Sequence, residues 1–381
     1  MYIHTDVFAV QSSKKHGQPC GDAWGVVRDS EATTLVLADG LGSGIKANIA
    51  ASMCVSRLLE LIRMGMTIRE AFDAVSATMD LVWGNGSPFA VFSIARILNN
   101  GQTTILSYEM PPPLQLNYSY AQVLRDRVYT RQKAIIHESD CQVSKGEALV
   151  LISDGISQAG IGLHFPEGWG AEGVRQFLQT HLPIERIDGQ FIAKSVHDKG
   201  RSYWPENKGD DCSVLVAVNR RGIVVNLLSG PPNRMADDEN WVKSFQQSNG
   251  IHLICGGSTA RITSRILNLH LSVNEPDNTI TPPSYSLEGF ELVTEGMITL
   301  NQAYHLLDED IELIPDSSPA TELADYLKNA DRINIWLGLA ENLNEAALEI
   351  KQQGLRKRQR IIQKIADRLR NQGKLVIIER L

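Results

Sequence analysis

Thr34-Leu35-Val36-Leu37-Ala38-Asp39-Gly40-Leu41-Gly42-Ser43-Gly44 is the stretch on which the reading of this chain turns. An unbroken apolar run of strand length ends in a carboxylate, and a glycine-rich loop follows at once. Such a run, lacking the alternation of a half-exposed strand, reads as a buried β-strand. Two further places repeat the pattern. Ala148-Leu149-Val150-Leu151-Ile152 runs into Ser153-Asp154-Gly155, and Gly209-Asp210-Asp211 leads into Ser213-Val214-Leu215-Val216-Ala217-Val218. Gly21-Asp22 supplies a fourth acidic–glycine pair. Three strand ends that each present a carboxylate can converge on one sheet edge. Hard oxygen donors clustered there select Mg²⁺ or Mn²⁺, whereas Zn²⁺ favours His and Cys.

Working outward, segments 6–13, 24–28 and 33–38 read as strands, and the period then changes. Apolar residues at helical spacing predict helices over 45–63 and 67–83, the second opened by a capping box of Thr67 and Glu70. After the turn Gly84-Asn85-Gly86 come strands over 89–98, 103–108, 114–118 and near 128–137. Gly146 opens the strand leading to Asp154, and helices over 171–181 and 187–199 precede the strand from Ser213. Strands, a helix pair, strands, a helix pair and a last strand predict an α+β fold, with a sheet-on-sheet core and helices outside. The break falls at Val218–Gly222, giving domains of 1–220 and 222–381. Beyond it a more regular pattern predicts a smaller α/β domain. Its strands are 223–228, 251–255, 290–293, 333–339 and 375–378, its helices 237–247, 260–267 and 354–370, and Thr281-Pro282-Pro283 is a loop.

Bulk properties narrow the function. A chain of 381 residues exceeds most single cores. A formal charge of −7, with no basic, aromatic stripe in the first 220 residues, argues against nucleic acid as partner. The five scattered cysteines contain no CxxC pair, which fits a reducing compartment. No leading signal segment and no run of membrane-spanning length is seen, so the expected location is the cytoplasm, away from membranes. Effector and oligomeric state leave no mark.

Carboxylates beside glycines suit a two-ion site. The carboxylate approaches the cation, and a glycine without Cβ lets a backbone carbonyl join it. Two ions ~3.5–4 Å apart lower the pKa of a water between them and hold phosphate oxygens through in-line displacement. In this order, Asp22, Asp39-Gly40, Asp154-Gly155 and Asp210-Asp211 resemble the motifs of the metal-dependent (type 2C) protein serine/threonine phosphatases. The likeness is closest to their bacterial branch, typified by the stage II sporulation protein E phosphatase. Met110-Pro111-Pro112-Pro113-Leu114 is similar to that branch's proline-rich connection, and the resemblance covers about 5–220.

The resemblance implies a β-sandwich flanked by helix pairs and two Mn²⁺ or Mg²⁺ ions. It makes Asp39 the bridging carboxylate, offers the Gly40 carbonyl to one ion, and gives Asp154 and Asp210 to the second. Asp22 would act through a metal-bound water, and Asp211 behind the ligands or on a third, weaker ion. Asp22 and Asp39 are thereby the implied catalytic pair. The helix pair at about 45–83 is implied to be regulatory, and the implied partner is a phosphorylated regulatory protein such as an anti-sigma-factor antagonist. Some members carry an arginine upstream of the first aspartate to grip phosphate. Here Lys14, Lys15 and His16 stand there without a matching position, which leaves the grip to the metals.

Plainer readings stand beside these. A single Asp-Gly is an ordinary turn at a strand end; four in order are not. Lys14, Lys15 and His16 read as a solvated loop, Cys20 and Cys212 as small apolar packing, and Trp24 as core. Gly256, Gly257, Ser258 and Thr259 form a candidate phosphate cradle at a helix start, or a tight turn with Ser258 or Thr259 as N-cap. Thr294-Glu295-Gly296 is a candidate for the same crevice, and the basic run from Arg356 to Arg370 reads as a solvated helical face. The functional expectation is a phosphoserine/phosphothreonine phosphatase whose second domain senses or docks. Its rival is a catalytically silent scaffold that binds a phosphoprotein.

Overall fold

The computed structural model describes residues 2–14, 17–82, 90–131, 134–205, 209–274, 283–309, 318–340 and 356–381. Lys15, His16, the turn Gly84-Asn85-Gly86, Thr281-Pro282 and Gly354 lie outside the described residues. Contacts divide the chain into two units that part between Arg221 and Gly222. No described helix is long and apolar enough to cross a membrane.

The first unit runs β1 (Ile3–Ser12), β2 (Asp22–Arg28), β3 (Ala32–Gly40), α1 (Ile45–Arg63), α2 (Ile68–Val82), β4 (Ala90–Leu98), β5 (Gln102–Tyr108), β6 (Leu114–Leu116) and β7 (Ala121–Val123). It continues β8 (Arg127–Arg131), β9 (Ala134–Gln142), β10 (Ala148–Ile152), α3 (Asp154–Ser157), α4 (Gly170–Gln179), α5 (Gly189–Ser202) and β11 (Cys212–Arg221). Two antiparallel sheets result, ordered β2-β3-β4-β5-β9-β8 and β1-β11-β10-β6-β7.

β3 shows how sequence sets the layers. Leu35 and Leu37 enter the core between the sheets, with Ile97 and Ile105 of their own sheet and Leu149, Leu151 and Leu215 of the other. Val36 and Ala38 join the opposite cluster with Ala51, Leu58 and Phe72 of α1 and α2. In the second sheet Val150, Val214 and Val216 meet Val174, Ile192 and Val196 of α4 and α5. The order is therefore helices, sheet, sheet, helices. A central strand covered on both faces has no polar side, which is why β3, β10 and β11 lack alternation. Each fully buried aliphatic side chain contributes roughly 1.5–3 kcal/mol, so both helix layers are held chiefly by this burial.

Thr67 N–H and Oγ both donate to Glu70 Oε2 at 2.8 Å and Glu70 N–H returns to Thr67 Oγ at 3.3 Å, completing the expected capping box. The run near 128–137 is two strands, β8 and β9, and β7 had no signal in its three residues. Trp24 departs from expectation: β2 is an edge strand, and the residue is 40% exposed.

The second unit runs β12 (Val224–Ser229), α6 (Asp238–Gln247), β13 (Ile251–Cys255), α7 (Gly257–Leu267), β14 (Leu271–Asn274), β15 (Ser284–Leu287), β16 (Leu292–Thr294), α8 (Met297–Leu306), α9 (Pro319–Asn329), β17 (Arg332–Leu337), α10 (Arg358–Asn371) and β18 (Leu375–Arg380). Its sheet is ordered β14-β15-β16-β13-β12-β17-β18, parallel from β16 to β18. The parallel strands therefore stand third, second, first, fourth and fifth, the arrangement of doubly wound α/β folds. Leu227, Leu253 and Ile335 pack with α8, α9 and α10, while Leu228, Ile254 and Trp336 pack with α6 and α7. β16 begins two residues later than the strand expected at 290. The segments β14, β15, α8 and α9 were not anticipated. In α8 a buried Asn301, bonded to the Met297 and Arg356 carbonyls at 2.9 and 3.0 Å, blurs the apolar face.

Candidate active site

The two sheets bring four aspartates to one end of the sandwich. Asp22 and Asp39 stand directly opposite each other in the β2–β3 register. Asp154 follows β10 and Asp211 precedes β11, and those strands pair with Ile152 against Val214. Ser153 N–H donates to the Ser213 carbonyl at 3.0 Å and Ser213 N–H to Ser153 Oγ at 2.9 Å, clamping the two strand ends together. Ser213 Oγ then donates to Asp22 Oδ2 at 2.5 Å, linking the sheets. The Asp39 and Asp154 carboxyls lie close enough for each to shift the other's pKa. Asp210 joins through its influence on Asp39 and Asp154.

Glycine is demanded by close approach here. A Cβ on Gly40 would lie 2.0 Å from the Ala47 carbonyl oxygen of α1, and one on Gly155 would lie 2.0 Å from the Asp211 carbonyl oxygen. Side chains at these positions would force α1 off β3 or the Asp154 turn off Asp211. Asn48 Nδ2 donates to the Cys20 carbonyl at 2.8 Å, fixing α1 to the loop that carries Asp22.

Burial and mutual repulsion dominate the electrostatics of the cluster. Burial pushes the Asp22 carboxyl up, against hydrogen bonds from Ser213 and Ser153, and the charges of Asp154 and Asp211 add to it. Burial also raises Asp39, with Asp22 and Asp154 as further causes, and raises Asp154. Asp22 Oδ1, Asp154 Oδ1 and Asp211 Oδ2 are buried without a hydrogen-bond partner. Like charges directly across a ladder destabilise it, and orphaned buried oxygens cost more. An all-oxygen set of this kind fits a hard divalent cation. Among the described residues, no three such side chains close on one point as a ready ligand shell. The fit rests on the all-oxygen donor set and the orphaned oxygens, not on a preformed ligand shell.

Lys14 is exposed in the loop after β1, as expected, but that loop is tied to the acidic cluster. The Lys14 N–H donates to Asp211 Oδ1 at 2.8 Å and its Nζ lies 3.5 Å from Asp210 Oδ1. Burial pushes the thiols of Cys20 and Cys212 up to about 12, so both stay protonated as packing groups. Ser153, Ser213 and Asn48 were missed as site residues; the two serines lay inside the quoted motifs, whereas Asn48 had no signal. Gly256, Gly257, Ser258 and Thr259 belong to the second unit. There Gly256 is the N-cap of α7, without a side-chain cap, so neither Ser258 nor Thr259 caps it. Thr259 Oγ accepts from Gly230 N–H at 3.0 Å, and Glu295 Oε2 accepts from Ile298 N–H at 2.9 Å at the start of α8.

The sequence pattern of the Stage II sporulation protein E (SpoIIE) family matches residues 29–219, half of the chain. The chain belongs to the SpoIIE family. The match takes in Asp39, Asp154, Asp210 and Asp211 and begins after Asp22. Among solved structures, the PP2C phosphatase domain of Bacillus subtilis SpoIIE with a fragment of its regulatory domain is 15% identical, with a TM-score of 0.49, over 57% of this chain and 64% of that one. The RsbU and RsbW domains of a Mycobacterium tuberculosis protein are 16% identical, with a TM-score of 0.46, over 64% of this chain and 70% of that one. RsbX in complex with magnesium is 19% identical, with a TM-score of 0.39, over 57% of this chain and 96% of that one. No curated protein matches the chain. The first unit of this SpoIIE-family chain thus carries a phosphatase-family domain, an antiparallel sandwich between helix layers.

Proposed function

We propose that the protein is a metal-dependent phosphatase of phosphoserine or phosphothreonine in a regulatory protein, with its two-ion site in the Asp22–Asp39–Asp154–Asp210–Asp211 cluster. The observation that carries this reading is the set of buried, partnerless oxygens on Asp22, Asp154 and Asp211. Asp39, the Gly40 carbonyl, Asp154 and Asp210 would hold two Mn²⁺ or Mg²⁺ ions, with Asp22 and Asp211 alongside. When bound, such ions supply a water of lowered pKa and neutralise phosphoryl oxygens. Ser213 orients Asp22 through its 2.5 Å hydrogen bond. Gly40 and Asn48 set the seat of α1, so a shift of that helix acts directly on Asp39 and the Cys20–Asp22 loop. Lys14 places an ammonium beside Asp210, where it can meet the oxygens of an incoming phosphoryl group. The second unit is assigned a sensing or docking role.

Hydrolysis of p-nitrophenyl phosphate and a phosphoserine peptide, with and without Mn²⁺, tests the reading beside Asp39→Asn and Asp210→Asn. Metal-dependent turnover lost in both variants supports it. A folded protein inactive with every divalent metal would favour the scaffold.

A further inference from the structure

The outward face of a surface helix is normally polar. On α1 the far half obeys, with Ser56, Arg57, Glu60 and Arg63 exposed, whereas the near half exposes a single charged residue, Lys46. The half beside the acidic cluster presents Ile45, Ile49 and Met53, spaced about one turn apart and 67%, 50% and 60% exposed. Leu41, 57% exposed, and Trp24 carry the apolar surface back to the ends of β3 and β2. Trp24, Ile49 and Met53 border an open groove of about 860 Å³.

Position says what covers this ridge. Leu41 follows Gly40 directly, Trp24 is two residues along β2 from Asp22, and Ala47 and Asn48 of the same helix touch Gly40 and the Cys20 carbonyl. A protein that presents a phosphoryl group to the aspartates would have to pass over it. A second copy is the poorer occupant, because it would set two acidic clusters near each other across a small contact. Five part-exposed side chains also fall short of the ~800 Å² per partner of a stable interface, whereas an enzyme must release its product. Lys14 can meet the phosphoryl group itself, and the apolar ridge beside the site offers a hold on the rest of the partner.

We propose that the Trp24–Met53 ridge docks the phosphoprotein substrate through an apolar patch next to its phosphorylated residue. This rests on the phosphatase reading above. The test uses p-nitrophenyl phosphate and two fluorescein-labelled phosphoserine peptides, one with polar flanks and one with a leucine-bearing amphipathic flank. They are compared on the full chain and on Ile49→Gln/Met53→Gln, which keeps good helix formers at exposed sites. The expected result is a kcat/KM about tenfold higher for the amphipathic peptide, the worth of one well-buried aliphatic side chain. That preference is lost in the double variant while aryl phosphate turnover stays the same. Equal kcat/KM for the two peptides, or a preference that survives the substitutions, overturns the proposal. A chain that hydrolyses nothing strikes the phosphatase reading instead, and fluorescence anisotropy of the same peptides then decides docking. Tighter binding of the amphipathic peptide to the unaltered chain than to the variant supports it; equal binding overturns it. Sedimentation showing a dimer that the double variant disperses assigns the ridge to a second copy and also overturns it.

Discussion

Asp39 faces Asp22 across the ladder, and burial with the charges of Asp22 and Asp154 raises its carboxyl, so an uncharged amide in its place relieves that repulsion. Asp39→Asn should therefore leave the metal-free melting temperature unchanged or slightly raised. It should lower Mn²⁺-dependent turnover more than about a hundredfold, beyond the ~10–100-fold typical of a group that only orients a ligand. Lys14→Met should raise KM for a phosphopeptide about tenfold with a smaller change in kcat, the pattern of lost substrate binding. Away from the site, burial works to raise Asp6, but hydrogen bonds from His4 and Arg220 prevail and hold its carboxyl down at about 2. A depressed carboxylate stabilises the fold above its unfolded value of about 4 and loses that support as pH falls through about 2. Urea melts from pH 5 to pH 2 should show the advantage of the native chain over Asp6→Asn shrinking, from on the order of 1 kcal/mol after solvent screening.

At the scale of elements, the Gly40 contact joins the proposed metal site to packing. Gly40→Ala drives a methyl into the Ala47 carbonyl, and overpacking of this kind costs about 1–3 kcal/mol. The expected outcome is a lower melting temperature together with lost Mn²⁺-dependent turnover; full activity in Gly40→Ala would show that α1 can move without disturbing Asp39. The strands that carry the aspartates were legible because β3, β10 and β11 are covered on both faces and leave unbroken apolar runs. α1 and α2 were legible from their period and the Thr67–Glu70 cap. Short or interrupted elements were not: β7 has three residues, β15 is Ser-Tyr-Ser-Leu, and α8 turns a hydrogen-bonded asparagine inward. Lys14 escaped because its hold on Asp210 and Asp211 spans nearly 200 residues of sequence, a separation no local pattern reports.

Across the whole molecule, each unit has its own hydrophobic cores, which predicts that residues 222–381 fold alone. A cooperative melt of that fragment, with the dispersed near-ultraviolet signal of its packed Trp241 and Trp336, would bear this out. The central claim concerns the first unit, where buried carboxylate oxygens lack partners and a divalent cation would satisfy them. Calorimetric titration of Mn²⁺ into the full chain and into Asp39→Asn tests it most directly. The account predicts saturable binding of about two ions to the native protein and loss of at least one of them in the variant. No binding at millimolar Mn²⁺, or the same isotherm from both proteins, would contradict it.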